Sequence, residues 1–564
     1  MSDRNTKRLR RLDQVAAALG ILAFVMLVCR YGFPDLEIPR PVAFAWSAML
    51  PIGLFLEAMY RLLWVENPWR YLSQHPLRYL ILLMIVLELS GVAAWSTEQT
   101  LRQRSTSFFA GEFYLAVFLF GFVGSWAKGA IMANRWLANR RVPVLALPAL
   151  TFALAIIMGA AFLSLPGLHQ RPLSLLDNLF TSTSALCVTG LTVYDISSSL
   201  NAVGQAVLAL LIQLGGLGTM TVIGMLALWH GGAISFGERV AFAELVGGVR
   251  LRETRQLIVT IIKITLVVEA FGTLAFWLLW RGRIEHPILQ GAFHAISAFC
   301  NAGFALFSDS FASFRDDPPT LIILMLLIVI GGAGFPVIAN LTRTGISRII
   351  PWIENRPLSQ ASRVVLLWSG GLIALGAVLF FIDGWLHQTP RTLLDAVFQS
   401  VTTRTAGFQI ESQLRFNMLG LIGTIMLMII GASPQSTGGG IKTTVLARFF
   451  KRIDPRDEKQ SSRWLFTFKP FRIALLLAGF YLVAGMVATI LLVYTDDLTI
   501  GDAAFEAFSA LGTVGLTRDV TPMLSVAGKW IDIVLMFAGR VLYPTFVMWM
   551  IRGRRESPDP VPWA

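Results

Sequence analysis

The chain has 564 residues, of which 55% are hydrophobic and only 14% are charged, and its mean hydropathy is +0.65. Soluble globular proteins carry about 25% charged residues, so this composition excludes an ordinary soluble domain and indicates an integral membrane protein. The formal net charge of +13 fits the basic cytoplasmic loops of a membrane protein, so no nucleic-acid partner is predicted. Three cysteines and six scattered histidines offer no metal or thiol constellation and do not indicate an enzyme.

Four hydrophobic segments come first, near 14–33, 41–64, 78–96 and 112–132. Each is long enough to cross the bilayer core, which takes about 20 apolar residues in a helix. Glu57 lies in a segment that resembles the second helix of a voltage-sensor module, but the fourth segment offers only Lys128 and Arg135 before Arg140. We therefore predict a transmembrane domain over 1–141 that is sensor-like without strong voltage sensing, or alternatively a packing or dimerisation bundle.

A different pattern follows, in which pairs of long apolar segments enclose a short, more polar segment. The pairs lie near 143–165 and 202–229, 256–280 and 319–342, 364–386 and 416–447, and 471–494 and 526–551. The enclosed segments are too short and too polar to span a membrane. The sequence predicts an all-α integral membrane fold with twelve crossings, in which four helix–pore-loop–helix repeats surround one pore. The repeats cover 142–235, 236–345, 346–462 and 463–564, the last with a short cytoplasmic tail.

The four enclosed segments share the motif Phe-x-x-x-Ser/Thr, which begins at Phe180, Phe293, Phe398 and Phe505. In three copies an Asp stands three residues before the Phe, and Gln290 replaces it in the second copy. Each segment ends in a glycine that is followed by Leu or Phe. These glycines, at nearly constant spacing, are Gly190, Gly303, Gly407 and Gly515. Such regular recurrence indicates repeated architecture.

The chemistry of these segments favours a cation path. Backbone outside a helix is tolerated at membrane depth only where it lines a wet cavity or is buried in protein. A short helix that begins with Asp directs its negative C-terminal end at the pore axis. Glycine permits the positive φ that turns carbonyls toward an ion, and a ring of carbonyls can replace the water shell of potassium. The predicted ion-binding residues are Val188, Thr189, Gly190, Asn301, Ala302, Gly303, Thr405, Ala406, Gly407, Thr513, Val514 and Gly515.

The basic residues predict an orientation. They concentrate in segments such as 448–469 that lie inside when the N-terminus is cytoplasmic, whereas Arg171 and Arg518 stand alone near the first and fourth short segments. This bias predicts a multi-pass protein of the cell (inner or plasma) membrane whose short segments re-enter from outside. The basic N-terminus lacks a clear small-residue cleavage site, so the first segment is predicted to be a retained helix.

At the four glycine motifs the chain resembles the Trk/Ktr/HKT superfamily of potassium transporters, over roughly 143–551, and the run 404–408 is similar to the Ktr type. The resemblance implies potassium uptake through a selective, gated, channel-like pore, with K+ as the bound ion and Na+ as a candidate modulator. It also implies a homodimer and a separate cytoplasmic nucleotide-binding regulatory subunit. Serine at the first filter glycine accompanies sodium selectivity in part of the plant HKT group, so Gly190 implies potassium.

The same resemblance assigns a gate. The segment 431–444 is rich in Gly, Ser and Thr and contains Pro434, which breaks helices. In the superfamily this segment is an intramembrane loop that acts as a gate beneath the filter. An arginine in the last helix is costly at membrane depth, and we predict that it forms either a positive barrier or a latch on the loop. The predicted gate residues are Gly438, Gly439, Gly440, Lys442 and Arg540.

Several other residues receive structural interpretations. Arg404 either restrains the third short segment, with Glu411 as a partner, or lines the outer vestibule; restraint is favoured. His294 is predicted to pack rather than to relay protons. Close helix packing is predicted for Gly215, Gly216, Gly218, Gly331, Gly332 and Gly334.

Two other functions remain open. A voltage-gated four-repeat cation channel is one alternative, although calcium and sodium filters use charged side chains that the four glycine positions lack. A proton-coupled secondary transporter is the other, and it would need an essential acid within the membrane, for which Glu269 is the candidate.

Overall fold

The computed structural model describes Phe33 and residues 146–218, 254–349, 358–387, 391–433, 436–443 and 470–542. The chain divides into two compact units, one of Met1–Gly129 with Leu165–Leu168 and one of Ala130–Ser164 with His169–Ala564. All of the described α-helices belong to the second unit. Apart from Phe33, the predicted domain over 1–141 lies outside the described residues, so its sensor-like character stays a prediction.

The described ranges are helical, as predicted. The α-helices are α1 (Ala146–Leu163), α2 (Leu175–Cys187), α3 (Ile196–Ser199), α4 (Ala202–Leu217), α5 (Thr254–Trp280), α6 (Pro287–Phe299), α7 (Pro318–Ala333), α8 (Phe335–Ile349), α9 (Gln360–Leu386), α10 (Leu393–Thr402), α11 (Met418–Ile429), α12 (Pro470–Asp496), α13 (Ile500–Gly512) and α14 (Val526–Phe537). Short 3₁₀ turns cover Pro166–Leu168, Ala312–Phe314, Gln413–Arg415 and Thr521–Met523, and a π-turn covers Ala538–Leu542. Within these ranges there is no β-strand, only one antiparallel bridge between His169 and Leu200.

Four short helices, α2, α6, α10 and α13, are the centres of four similar units. Each packs against the longer helix that precedes it in the chain, namely α1, α5, α9 and α12. Three of them also pack against a helix of the previous unit: α6 against α4, α10 against α7, and α13 against α11. The series closes on itself, because α2 of the first unit packs against α14 of the fourth. The four units therefore form a closed circle.

The short helices begin in two different ways. At α2, α10 and α13 a hydroxyl side chain caps the helix: Ser174, Thr392 and Thr499 accept hydrogen bonds from the backbone N–H of an Asp three residues later. An acid in the first turn also favours the positive helix end. The second unit lacks that Asp, and α6 instead begins at Pro287, which needs no N–H partner at the first helical position. The second copy, which lacks the Asp, thus also lacks the side-chain cap of the other three.

Three of the described helices contain stretches long and apolar enough to cross a membrane: Val259–Trp280, Ser362–Leu386 and Ala478–Asp496. Only 28% of each hydrophobic window is buried inside the protein, so most of its apolar surface faces outward. A fourth span results if α7 and α8 are taken together, but the two helices are bent by 104°. The predicted apolar segment 319–342 is therefore not one straight helix. The bend occurs at Gly334, whose φ is +92°, just before Phe335 and Pro336.

The glycines of α4 and α7 that were predicted to pack closely differ in their surroundings. Gly215 and Gly331 are close-packed, as predicted, because a Cβ on either would collide with a backbone carbonyl near the end of a short helix, at Leu186 and Phe299 respectively. The packing interpretation is wrong for Gly218, because no atom in the described ranges lies within 4 Å of an added Cβ. Gly334 is itself buried, so the packing interpretation of this glycine stays a prediction. Both residues have positive φ and end their helices, which is a conformational role.

Candidate functional site

The backbone after each short helix adopts the same unusual conformation. The first residue of each predicted filter segment has positive φ: 58° at Val188, 58° at Asn301, 68° at Thr405 and 50° at Thr513. Two residues later the glycine is also positive: 97° at Gly190, 72° at Gly303, 78° at Gly407 and 92° at Gly515. Residues other than glycine rarely adopt positive φ, and sites that hold such strain tend to be functional. Its occurrence at four equivalent places indicates one shared structure.

The four glycines form a closed ring, which we call the glycine ring. A Cβ added to Gly303 would lie 2.8 Å from the carbonyl oxygen of Ala406 and 3.0 Å from the Cα of Gly407. The same relation holds around the circle. Added Cβ atoms on Gly190, Gly407 and Gly515 would meet the carbonyl oxygens of Ala302, Val514 and Thr189, respectively. The structure thus brings the predicted filter segments of all four units together, at a spacing that excludes side chains at the glycines.

In each unit the Ser or Thr of the recurring motif forms a hydrogen bond to the backbone of the predicted filter segment that follows it. This role was not predicted from the sequence. The Oγ atoms of Ser184 and Ser509 accept hydrogen bonds from the N–H groups of Gly190 and Gly515 at 3.0 and 3.1 Å. In the other two units the hydroxyl donates instead, from Ser297 to Phe304 O at 2.8 Å and from Thr402 to Phe408 O at 2.7 Å. The recurrence of the motif was the signal that could have revealed this role.

The predicted gate segment forms a compact loop after α11. Two backbone hydrogen bonds close the loop at its base, which we call the neck. Ala432 N donates to Gly439 O at 3.2 Å, and Ile441 N donates to Ile429 O at 3.0 Å. We call residues 431–433 and 436–443 the gate loop. The loop is bonded to the second unit as well, because Ser433 N donates to Gly332 O at 3.1 Å. It is therefore a folded element rather than a simple kink in a helix.

The gate loop lies directly against the filter segments. A Cβ on Gly438 would collide with the hydroxyl of Thr405, and a Cβ on Gly439 would collide with the hydroxyl of Thr513. Both hydroxyls are buried and, within the described part of the chain, have no hydrogen-bond partner. The predicted gate glycines and the first residues of two predicted filter segments are thus in contact.

Two basic side chains, Arg540 and Lys442, donate hydrogen bonds to the carbonyl groups of Thr437 and Gly438 in the gate loop. Arg540 donates from Nη1 to Thr437 O at 2.5 Å and from Nη2 to Gly215 O at 2.7 Å, so it links the loop to the end of α4. Lys442 donates from Nζ to Gly438 O at 2.7 Å. Thr437 is held further by its own hydroxyl, which donates to Phe299 O at 3.1 Å. This geometry fits the latch alternative for Arg540.

The prediction that Glu411 is the partner of Arg404 is wrong. Arg404 donates from Nη2 to Gly431 O at 3.2 Å and from Nη1 to Ser369 O at 3.3 Å. Glu411 instead accepts from Nε of Arg391 at 2.6 Å. The two residues are close in sequence, but the filter segment turns between them and separates their side chains. Arg404 therefore contacts the gate loop.

A separate ionic cluster, which we call the rim network, surrounds the start of α10. Its centre is Arg391, which is almost fully buried and also donates to Asp383 at 3.0 Å. The guanidinium lies 4.0 Å from the centre of the Phe416 ring. Nearby, Arg315 pairs with Asp395 at 2.7 Å, and this hydrogen bond raises the pKa of Arg315 above its ordinary value. The network fixes the third unit around its short helix.

His294 is a packing residue, as predicted. Its Nδ1 lies 2.8 Å from Gln290 O, and its Nε2 accepts a hydrogen bond from Leu306 N at 3.1 Å. The ring is stacked on Phe307 and contacts Trp280 edge-on. Because both nitrogens have backbone partners, neither is available to carry protons along a path.

Comparisons with known proteins agree on one family. The model of the TrkH cation transport proteins matches residues 124–554. The Ktr system potassium uptake protein B of Vibrio alginolyticus is 35% identical over 414 residues, which cover 70% of this chain and 88% of that protein. The potassium/sodium uptake protein NtpJ of Enterococcus hirae is 31% identical over 435 residues, which cover 74% of this chain and 94% of that protein.

A solved structure shares the fold. The crystal structure of the potassium transporter TrkH from Vibrio parahaemolyticus aligns with a TM-score of 0.54 over 90% of this chain and 96% of that one, at 16% sequence identity. Together with the apolar helices, these matches identify a multi-pass membrane protein with an all-α transporter fold. The chain belongs to the TrkH family of cation transport proteins.

Proposed function

We propose that this protein takes up potassium across the cell membrane through the glycine ring. The observation that carries the proposal is the closed approach of Gly190, Gly303, Gly407 and Gly515, each preceded by a residue of positive φ two positions earlier. Positive φ at every second residue turns successive carbonyl groups to the same side of an extended segment. Four such strands around one axis supply the carbonyl rings that can replace the hydration shell of K+.

The residues at the ring favour potassium over ions that need charged ligands. None of the twelve predicted filter residues is charged, so the ligands are neutral oxygens. This composition argues against a calcium-type or sodium-type filter and so against the voltage-gated alternative. The Vibrio alginolyticus relative is named as a potassium uptake protein, which supports the same ion. The Enterococcus hirae relative is named for potassium and sodium, which supports Na+ as a second ion or modulator.

The gate loop supplies the gating element of the proposal. With Gly438 and Gly439 against the Thr405 and Thr513 hydroxyls, the loop occupies the space next to the first filter residues. An ion leaving the filter on this side has to pass the loop, so movement of the loop would control flux. Arg540 would hold the loop in the blocking position through Thr437.

The remaining features of the proposal come from the family resemblance. They are a homodimer, a cytoplasmic N-terminus and a separate cytoplasmic nucleotide-binding subunit that regulates the pore. Co-expression of candidate regulatory rings, followed by co-purification in mild detergent, would test the subunit. Mass measurement of the purified protein would test the dimer.

The main test is uptake of potassium, rubidium and sodium in cells that lack their own potassium uptake, comparing the natural chain with Gly190→Ser. A side chain at φ 97° is strained and collides with Ala302 O, so we expect the ratio of potassium to sodium uptake to fall at least tenfold. Gly371→Ser is the matched control, because no atom of the residues that the structure describes lies within 4 Å of its added Cβ. If the natural chain moves neither potassium nor rubidium, the proposal is wrong.

A proton-coupled mechanism is the second candidate, and it depends on Glu269. This acid is buried in α5, where Oε2 accepts from Gln213 at 3.2 Å and Oε1 has no hydrogen-bond partner among the described residues. The discriminating measurement is rubidium uptake against external pH in the natural chain and in Glu269→Gln. Equal pH profiles would exclude Glu269 as a coupling group.

A further inference from the structure

Arg404 connects three parts of the chain that the proposed function uses. It stands one residue before Thr405 in the filter, and only 8% of its surface is exposed. Its guanidinium reaches Ser369 in the middle of α9, through the carbonyl at 3.3 Å and the hydroxyl at 3.5 Å. The same group reaches Gly431, the first residue of the gate loop, at 3.2 Å. One side chain thus joins a filter segment, a long helix and the gate loop.

The partners of Arg404 are neutral. In the part of the chain that the structure describes, no carboxylate lies within ion-pair distance of its guanidinium, and its Nε has no hydrogen-bond partner. A buried cation without an anion is costly, so packing alone is a poor reason for this residue. A planar guanidinium can, however, reach acceptors on two different elements at once, which a lysine ammonium on its flexible stem does poorly. The geometry therefore indicates a bridging role.

The point that Arg404 holds is the neck of the gate loop. A Cβ on Gly431 would collide with Gly439 O and lie 2.6 Å from the Cα of Gly440, so the backbone at the start of the loop contacts the backbone that returns from it. The other anchor, Arg540, holds Thr437 beyond the neck. Gly438 and Gly439, which contact Thr405 and Thr513, follow directly after Thr437 in the chain, and Gly439 is bonded to Ala432 at the neck.

We propose that Arg404 is a positioning residue that fixes the neck of the gate loop in register with the third filter segment. The loop then leaves the filter by releasing Thr437 from Arg540 while Gly431 stays in place. This inference rests on the proposed function, because it assigns a part of the gate. Without Arg404 the neck loosens, and Gly438 and Gly439 no longer stay against Thr405 and Thr513.

The test compares the full-length natural chain with Arg404→Gln and Arg404→Lys in liposomes under a potassium gradient. The readout is rubidium flux per folded protein, with the folded amount taken from size-exclusion chromatography. We expect both variants to raise the flux about tenfold, as the loss of a charge-assisted hydrogen bond would predict. Ser369→Ala is the matched control: it removes the weak hydroxyl contact, keeps the bond to Gly431 O, and should stay near the natural flux.

The lysine variant separates bridging from charge. If Arg404→Lys behaves like the natural chain while Arg404→Gln does not, the positive charge matters and the bridging role is overturned. Unchanged flux in both variants, or a lower flux per folded protein, also overturns it, since a merely structural residue would not raise flux. If the natural chain itself carries no rubidium, the proposed function fails, and that outcome is distinct from a natural chain that conducts but is insensitive to Arg404.

Discussion

The rim network and the gate loop use their cations in opposite ways. In the rim network the basic side chains pair with carboxylates, as Arg391 does with Asp383 and Glu411, and Arg315 does with Asp395. At the gate loop, Arg404, Lys442 and Arg540 donate to backbone carbonyls. Arg391 and Arg404 are both buried, so the difference between these two cations lies in the acceptor.

This difference in acceptor supports the proposal that the gate loop moves while the rim network stays fixed. Removing a cation from a buried carboxylate leaves an uncompensated charge, which costs several kcal/mol. Removing it from a carbonyl leaves a neutral group that water can satisfy once the loop moves. The rim is therefore built to hold one arrangement, whereas the gate loop is anchored by bonds that can be exchanged.

The largest effect is expected at the rim. Arg391→Met removes the partner of two buried carboxylates, so we expect the free energy of unfolding to fall by about 3–5 kcal/mol. The measurement is thermal unfolding of the purified protein in detergent. Arg283→Met is the control, because Arg283 pairs with Asp317 at 2.9 Å but leaves 57% of its side chain exposed; its loss should cost less than about 1 kcal/mol. Equal losses would contradict the distinction between buried and exposed pairs.

An intermediate effect is expected at the far anchor of the gate loop. Arg540→Gln replaces two charge-assisted bonds, to Thr437 O and Gly215 O, with at most weaker neutral ones. We expect basal rubidium flux to rise by about 30-fold, with little change in unfolding temperature. Arg540→Lys distinguishes latch from barrier, since it keeps the charge but not the two-armed geometry. Flux at the natural level in Arg540→Gln would remove both roles.

The smallest effect is expected at the ion pair between Asp177 and Lys529, which joins the first and fourth units at 2.7 Å. Partial burial would raise the pKa of Asp177, but hydrogen bonds from Lys529 and Ser174 outweigh it and hold that pKa below its ordinary value. The stabilisation is therefore present above the ordinary carboxyl pKa and lost as the pH falls through the lowered one. Lys529→Met should cost less than about 1 kcal/mol at neutral pH and nothing in strong acid. Unfolding temperatures across this range provide the check.

The ring glycines could be predicted because their signals repeat along the chain. A motif with the same internal spacing at Phe180, Phe293, Phe398 and Phe505 marks equivalent positions without any knowledge of the fold. The structure places the residues that follow each motif side by side. The same repetition could have shown that the Ser or Thr of the motif bonds to its own filter segment.

Features that occur once could not be predicted in this way. The segment 319–342 is apolar throughout, so hydropathy alone favours one straight helix, and the 104° bend depends on the positive φ of a single glycine. The partner of Arg404 was chosen for nearness in sequence and opposite charge, but a sharp filter turn separates Arg404 from Glu411 and presents it to Gly431. Charge complementarity is a weak guide where buried cations use carbonyls.

The circular packing of the units has a consequence for how the protein is made. The contact between α2 and α14 closes the circle, and Asp177 and Lys529, which join across it, are 352 residues apart. During translation the first short helix is complete long before its neighbour exists. Until α14 has entered the membrane, the nascent chain can form only three of the four helix contacts between neighbouring units. Closure of the circle is therefore among the last events of biosynthesis, and a chain whose translation stops early lacks the contact between α2 and α14.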